Sequence, residues 1–206
     1  MKSFIPFSFL FAMMQFNLTG QNADISLVSA EFLYLGVDNP VDVFLPPFST
    51  PELTLTADKK AIIKKSSDGK FTVSPNVYGE ITLTVSNDKK TFSKLFKIAT
   101  IPDPIPTFNG QEEGIISIAK FKEIASLDLK MPELYKGTVI QSYKLIIGSV
   151  TEGINFNITG AKIPDDVLEI LKNIKPGTII HFIDIKGRCP GDALARFFGN
   201  LNFVLE

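Results

Sequence analysis

The chain has 206 residues and a formal net charge of −1, enough for one larger domain or two small ones once a leader is removed. Near-neutral charge argues against a nucleic-acid binder, which carries a basic excess, and gives no reason to expect an anionic membrane surface as partner. Hydrophobic residues make up 45% and charged residues 21%, so a core can form without metal or disulfide staples. A single cysteine, Cys189, excludes an intramolecular disulfide framework.

Residues 1–20 read as a secretory signal. Lys2 supplies the positive start, and Phe4, Ile5, Phe7 and Phe9–Met14 supply the apolar stretch. Leu18-Thr19-Gly20 offers a small residue at the cleavage point. The apolar run is shorter than the roughly 20 residues that span a bilayer, and no later stretch is long and apolar enough to do so. The protein is therefore expected to be exported, with no stable membrane span after cleavage.

Short strands follow, over a first domain expected at 21–100. Ile25–Val28, Glu31–Leu35 and Val41–Leu45 come first, then Leu53, Leu55, Ile62 and Ile63. Asp68-Gly69 marks a tight turn, because glycine accepts positive φ at no steric cost. Phe71 and Val73, then Ile81, Leu83 and Val85, alternate with Thr and Ser, so one face is buried and one wet. Phe92–Ile98 closes the series. Strands at this spacing predict a β-sandwich. Lys59, Lys60, Lys64, Lys65 and Lys70 read as a solvated strand edge, where lysines discourage edge-to-edge pairing.

Residues 101–111 hold Pro102, Pro104 and Pro106 at alternate positions, followed by Asn109-Gly110. Prolines so placed forbid a helix and favour a stiff, extended segment between two domains. The second domain is expected at 112–206. Its strands fall at Ile115–Ile118, Leu127–Leu129, Val139–Ile147, Phe156–Ile158, Ile179–Ile185 and Leu201–Leu205. One helix is predicted near 164–174. Val167, Leu168, Leu171 and Ile174 share one face, Pro164 suits a first turn, and Pro176-Gly177 ends it.

No catalytic, cofactor or metal site emerges. A hydrolytic triad needs a base, and the one histidine, His181, sits in a strand beside apolar Ile179, Ile183 and Ile185. Strand alternation places it and Asp184 on opposite faces. One His and one Cys cannot build a zinc site. Cys189 lacks a neighbouring activating base. Asp38-Asn39-Pro40 and Asp103-Pro104 read as fold-defining turns, since Asp and Asn side chains bond nearby backbone and Pro fixes φ. Gly36 and Gly110 stand where a side chain would force strain.

Several segments together resemble the C-terminal region of GldM, also called PorM. Leu33–Val41, with Gly36-Val37-Asp38-Asn39-Pro40, resembles that family's YRGVDNP signature. Gly69–Pro75 leading to Gly79 resembles its next turn and strand. Phe96-Lys97-Ile98, Ile101-Pro102-Asp103-Pro104 and Asn109-Gly110 resemble its interdomain element. Gly177, Ile183–Lys186, Pro190-Gly191-Asp192 and Arg196 resemble its last hairpin. The resemblance covers nearly all of the chain after the leader.

The resemblance implies a mainly β chain of two consecutive immunoglobulin-like β-sandwich domains, the second carrying one short helix. GldM is a core part of the type IX secretion and gliding machinery. It is anchored in the inner membrane and forms an extended periplasmic dimer. The signal read over residues 1–20 is expected to stand in place of that anchor and of the first half of the shaft, so motor coupling is not expected to carry over. The expectation is a non-enzymatic, periplasmic, envelope-associated or secreted protein that binds another envelope protein, such as a type IX component, with homodimerisation as a second expectation. A secreted hydrolase or inhibitor, or a carbohydrate-binding module, is the rival class. Exposed Tyr34, Tyr78, Tyr135 or Tyr143 would favour carbohydrate.

Overall fold

The computed structural model describes residues 22–28, 30–123, 125–132, 135–171 and 173–206, so the leader read over 1–20 lies outside the described residues. The chain is mainly β. In chain order the strands are β1 (Asp24–Leu27), β2 (Leu33–Tyr34), β3 (Asn39–Phe44), β4 (Thr54–Ala57), β5 (Ala61–Lys65), β6 (Phe71–Pro75), β7 (Gly79–Ser86) and β8 (Thr91–Ala99). They continue as β9 (Ile105–Phe108), β10 (Glu113–Ile116), β11 (Leu127–Lys130), β12 (Val139–Ile147), β13 (Ile154–Thr159), β14 (Ile179–Arg188) and β15 (Arg196–Leu205). Among the described residues, two short α-helices, α1 (Ile118–Glu123) and α2 (Asp165–Leu171), fall in the second half, and a single 3-10 turn, Thr50–Glu52, falls in the first.

The first eight strands make a sandwich of two four-stranded sheets, ordered β1-β3-β6-β5 and β2-β8-β7-β4. Alternation in the sequence sets the faces. Phe71 and Val73 point inward from one sheet, and Ile81, Leu83 and Val85 from the other, and all five are buried. Removing each such side chain from water is worth about 1.5–3 kcal/mol. On the outer face of the second sheet, Thr56, Thr84 and Ser93 lie side by side, with Thr84 Oγ1 and Ser93 Oγ 2.9 Å apart.

The lysine group lies where its spacing suggests. Strand β5 is a sheet edge. Lys64 Nζ pairs with Asp38 at 2.7 Å. Lys65 Nζ donates to Leu53 O at 2.7 Å and lies 5.2 Å from the Phe71 ring centroid.

The second half is built on one five-stranded sheet, β10-β15-β14-β12-β13. Its opposing layer is the two-stranded ribbon β9–β11 together with α1 and α2, which makes this sandwich unequal. Phe108 at its centre lies 5.1 Å from Phe121, 5.2 Å from Phe182 and 5.8 Å from Phe203, ring centroid to centroid. Helix α2 places Val167 and Leu171 in this core and Leu168 against it, and Ile174, beyond the end of the helix, packs there too.

Within 101–111, Ile105–Phe108 is a strand and pairs with Leu127–Lys130. Ile101 and Phe108 both belong to the larger core. Proline is tolerated here because a two-stranded ribbon leaves outward-facing ladder positions. At the tip of this segment, Asn109 and Gly110 have φ of 55° and 72°, and Phe108 and Gln111 exchange backbone hydrogen bonds. Two successive positive φ values make this a primed hairpin turn.

Strand β14 departs from simple alternation. Ile180 and Phe182 face the core, and then Ile185 does. The inward face thus shifts by one residue across Asp184, whose φ is 52° and where the register to β15 slips. This is a β-bulge. The parity argument for His181 against Asp184 therefore does not hold, and Ile179 is exposed rather than an inward neighbour.

Candidate functional site: the joint between the two cores

Residues singled out in the sequence at positions far apart meet at one place. The loop between β2 and β3 carries Gly36, Val37 and Asp38. Asn39 begins β3, and its side chain is 3% exposed. Its Oδ1 accepts the Tyr34 N–H at 2.8 Å, and its Nδ2 lies within 3.0 Å of the Tyr34, Val37 and Val73 carbonyls. Asn39 thus holds the loop to its own strand and to β6. Pro40, next in the strand, pairs opposite Thr72. Asp38 points to the other side, accepting from Ser74 Oγ and Lys64 Nζ. These two bonds hold its carboxyl below the usual carboxylate range, with Lys64 contributing most.

The loop so fixed is pressed onto the second half. Val37 is buried in the larger core, and Tyr34 packs against that core. The Tyr34 and Tyr135 rings meet edge to face at 5.6 Å. Burial, reinforced by Tyr34, pushes the Tyr135 phenol up to about 12. Gly36 has φ of 76°, and a Cβ there would lie 2.4 Å from Gly191 N. A Cβ on Gly191, φ 83°, would lie 2.7 Å from Leu35 O. Each glycine is therefore required twice, by its left-handed backbone and by the approach of the other strand of chain.

A second cluster sits on the connecting segment. Arg196 Nη1 donates to Ile101 O at 2.7 Å and to Asp103 Oδ1 at 2.9 Å. Arg196 Nε donates to Asp192 Oδ2 at 2.8 Å, and the Cys189 N–H bonds the same oxygen at 2.8 Å. Burial opposes the guanidinium charge, but Asp192, Cys189 and Asp103 more than offset it and raise its pKa. Pro102 stands between the two residues that Arg196 grips, and Pro104 follows them and is buried. Gly110 lies away from this place, at the hairpin tip. The sequence marked Arg196 and Pro190-Gly191-Asp192 but gave no sign that they face Gly36 and Asp103.

His181 Nδ1 lies 2.6 Å from Asn202 Oδ1 on the neighbouring strand, a polar pairing across the sheet. Among the described residues, no group of three or more His, Cys, Asp or Glu is placed to hold a metal. Cys189 is buried, and burial raises its thiol pKa despite a hydrogen bond to Thr138. Of the tyrosines, Tyr78 is exposed, whereas Tyr135 and Tyr143 are buried. A shallow apolar hollow of about 310 Å³ lies between β11 and the start of β12, lined by Leu127, Leu129, Met131 and Ile140.

Residues 22–99 match the family model of the GldM third domain. This part of the chain is similar to that domain. The β2–β3 loop, which reaches the joint, and Asn39, which holds it, lie within the matched residues. No curated protein matches the chain in sequence. Among solved structures, domains 4 and 5 of the S-layer protein SbsC are 8% identical at a TM-score of 0.31, covering 90% of this chain and 98% of that one. Human protocadherin-24 EC1-2 is 8% identical at 0.28, covering 90% and 98%. The N-terminal four Ig domains of Dscam1 isoform 6.9 are 9% identical at 0.25, covering 91% and 52%. Among the described residues, no helix is long and apolar enough to cross a membrane.

Proposed function

We propose that this protein is a non-enzymatic component of the cell envelope that binds another protein of the type IX secretion and gliding machinery. The GldM-family match over residues 22–99 carries the reading. The structure is compatible with it in two ways. The polar residues drawn from the family-like segments, Asn39, Asp103, Asp192 and Arg196, hold backbone and one another. Each of the four makes at least one such bond. Sandwich ends and strand edges are where such folds place recognition.

The chain is proposed to act as two β units, one ending near residue 100 and one beginning there, in the periplasm or on the envelope surface. Homodimerisation is part of the proposal, tested by sedimentation of the purified chain. Affinity purification from envelope extracts tests the binding role. Recovery of a type IX component supports it. Recovery of no envelope protein, with secretion unchanged in a deletion strain, overturns it.

A further inference from the structure

We infer that the joint is a clamp that locks the two cores at one fixed angle, so that the chain reorients as a single body. Two domains joined by one linker move relative to each other by default. Here almost none of the linker is left unsupported. On the first side, β2 runs parallel to β8 with Leu33 beside Ile98 and Tyr34 beside Ala99, and the Leu35 N–H bonds Ala99 O at 2.9 Å. On the second side, Ile101 is 1% exposed in the larger core, and Arg196 grips Ile101 O and Asp103. Only Thr100 stands between these two anchorages. Pro102 narrows the choices further, by fixing its own φ and restricting Ile101.

A lateral contact then removes the swivel that Thr100 could still permit. The β2–β3 loop, which is tied to the end of β8, also sits on the second core through Val37, the Tyr34–Tyr135 ring contact and the Gly36–Gly191 approach. Rotation about the Thr100 backbone would have to pull Val37 out of an apolar core and part the two glycines. Asn39 keeps this loop from yielding, because its side chain fixes the loop from within the first sandwich.

Residual dipolar couplings and ¹⁵N relaxation on the full chain test the clamp. In the unsubstituted protein, one alignment tensor and one rotational correlation time are expected to fit both 22–99 and 101–206. In the double variant Gly191→Val, Arg196→Gln, the correlation time of 22–99 is expected to fall to that of a separate body of its own size. Amide shifts near Leu83 and Phe182 establish that both cores remain folded. Two distinct tensors in the unsubstituted protein overturn the inference, whether or not the variant folds. A folded double variant that keeps a single tensor overturns it as well.

Discussion

Replacing Asn39 by alanine removes a side chain that is 3% exposed and makes four hydrogen bonds to backbone. Each such bond contributes about 1 kcal/mol net, and each buried group left unpaired costs about 1–3 kcal/mol. Some carbonyls will find water as the loop relaxes, so the expected loss is about 3–5 kcal/mol. That is a large part of the roughly 5–15 kcal/mol that holds a domain together. At about 4–8 °C per kcal/mol for a domain of this size, the midpoint should drop by more than about 10 °C. Thermal unfolding followed by far-UV circular dichroism reads that midpoint, and urea unfolding, with midpoint and slope fitted separately, reads the free-energy loss. Asn39→Asp sharpens the test. It keeps the acceptor for the Tyr34 N–H but turns the donor into an oxygen facing three carbonyls, so its loss at neutral pH should equal or exceed that of alanine. A change below about 1 kcal/mol in both variants would refute the assigned role.

Phe108→Ala should cost about 3–5 kcal/mol in the second unit, because a fully buried ring touching three other rings leaves a cavity; thermal unfolding measures it. Asp24, held below the usual carboxylate range chiefly by Lys94, and Asp38, held there chiefly by Lys64, should make stability fall in acid. Their contribution is fully present above the unfolded value of about 4 and is lost as pH drops through the lowered folded values. The effect should be small, since both pairs are about half exposed and screened by solvent, and Asp38→Asn should flatten the acid limb measured by denaturant titration. Cys189 should react slowly with a thiol reagent in the native protein and at the rate of a free thiol in denaturant, given its burial and raised pKa; an equal native rate would contradict the buried position.

Much of the fold is legible because a two-residue period is a direct imprint of a sheet with one buried face. Phe71 and Val73, and Ile81, Leu83 and Val85, announce their orientation without help from the rest of the chain. Helix α2 is equally local, with its apolar face, its first-turn acids and its closing Pro-Gly. What the sequence withholds depends on distant neighbours. Pro104-Ile105-Pro106 has the composition of a stiff spacer, yet β9 forms because Leu127–Lys130 lies alongside to pair with it. Helix α1 is short and has a single buried residue, Phe121, so it has no periodicity to detect. The bulge at Asp184 reverses the parity of β14 with one left-handed residue. At the joint the difficulty is greatest. Gly36 looks like a turn glycine, and its second reason, the backbone of Gly191, lies in the other half of the chain. Asp38 and Asp103 both read as turn residues, but their partners are Lys64 and Ser74 in one case and Arg196 in the other.

The proposed role is binding within the type IX envelope machinery. Affinity purification of the chain from the native envelope, with parallel measurement of secretion in a deletion strain, tests it most directly. The expected result is co-purification of a type IX envelope component together with altered secretion or gliding. Recovery of the chain alone, with secretion and gliding unchanged, would contradict it.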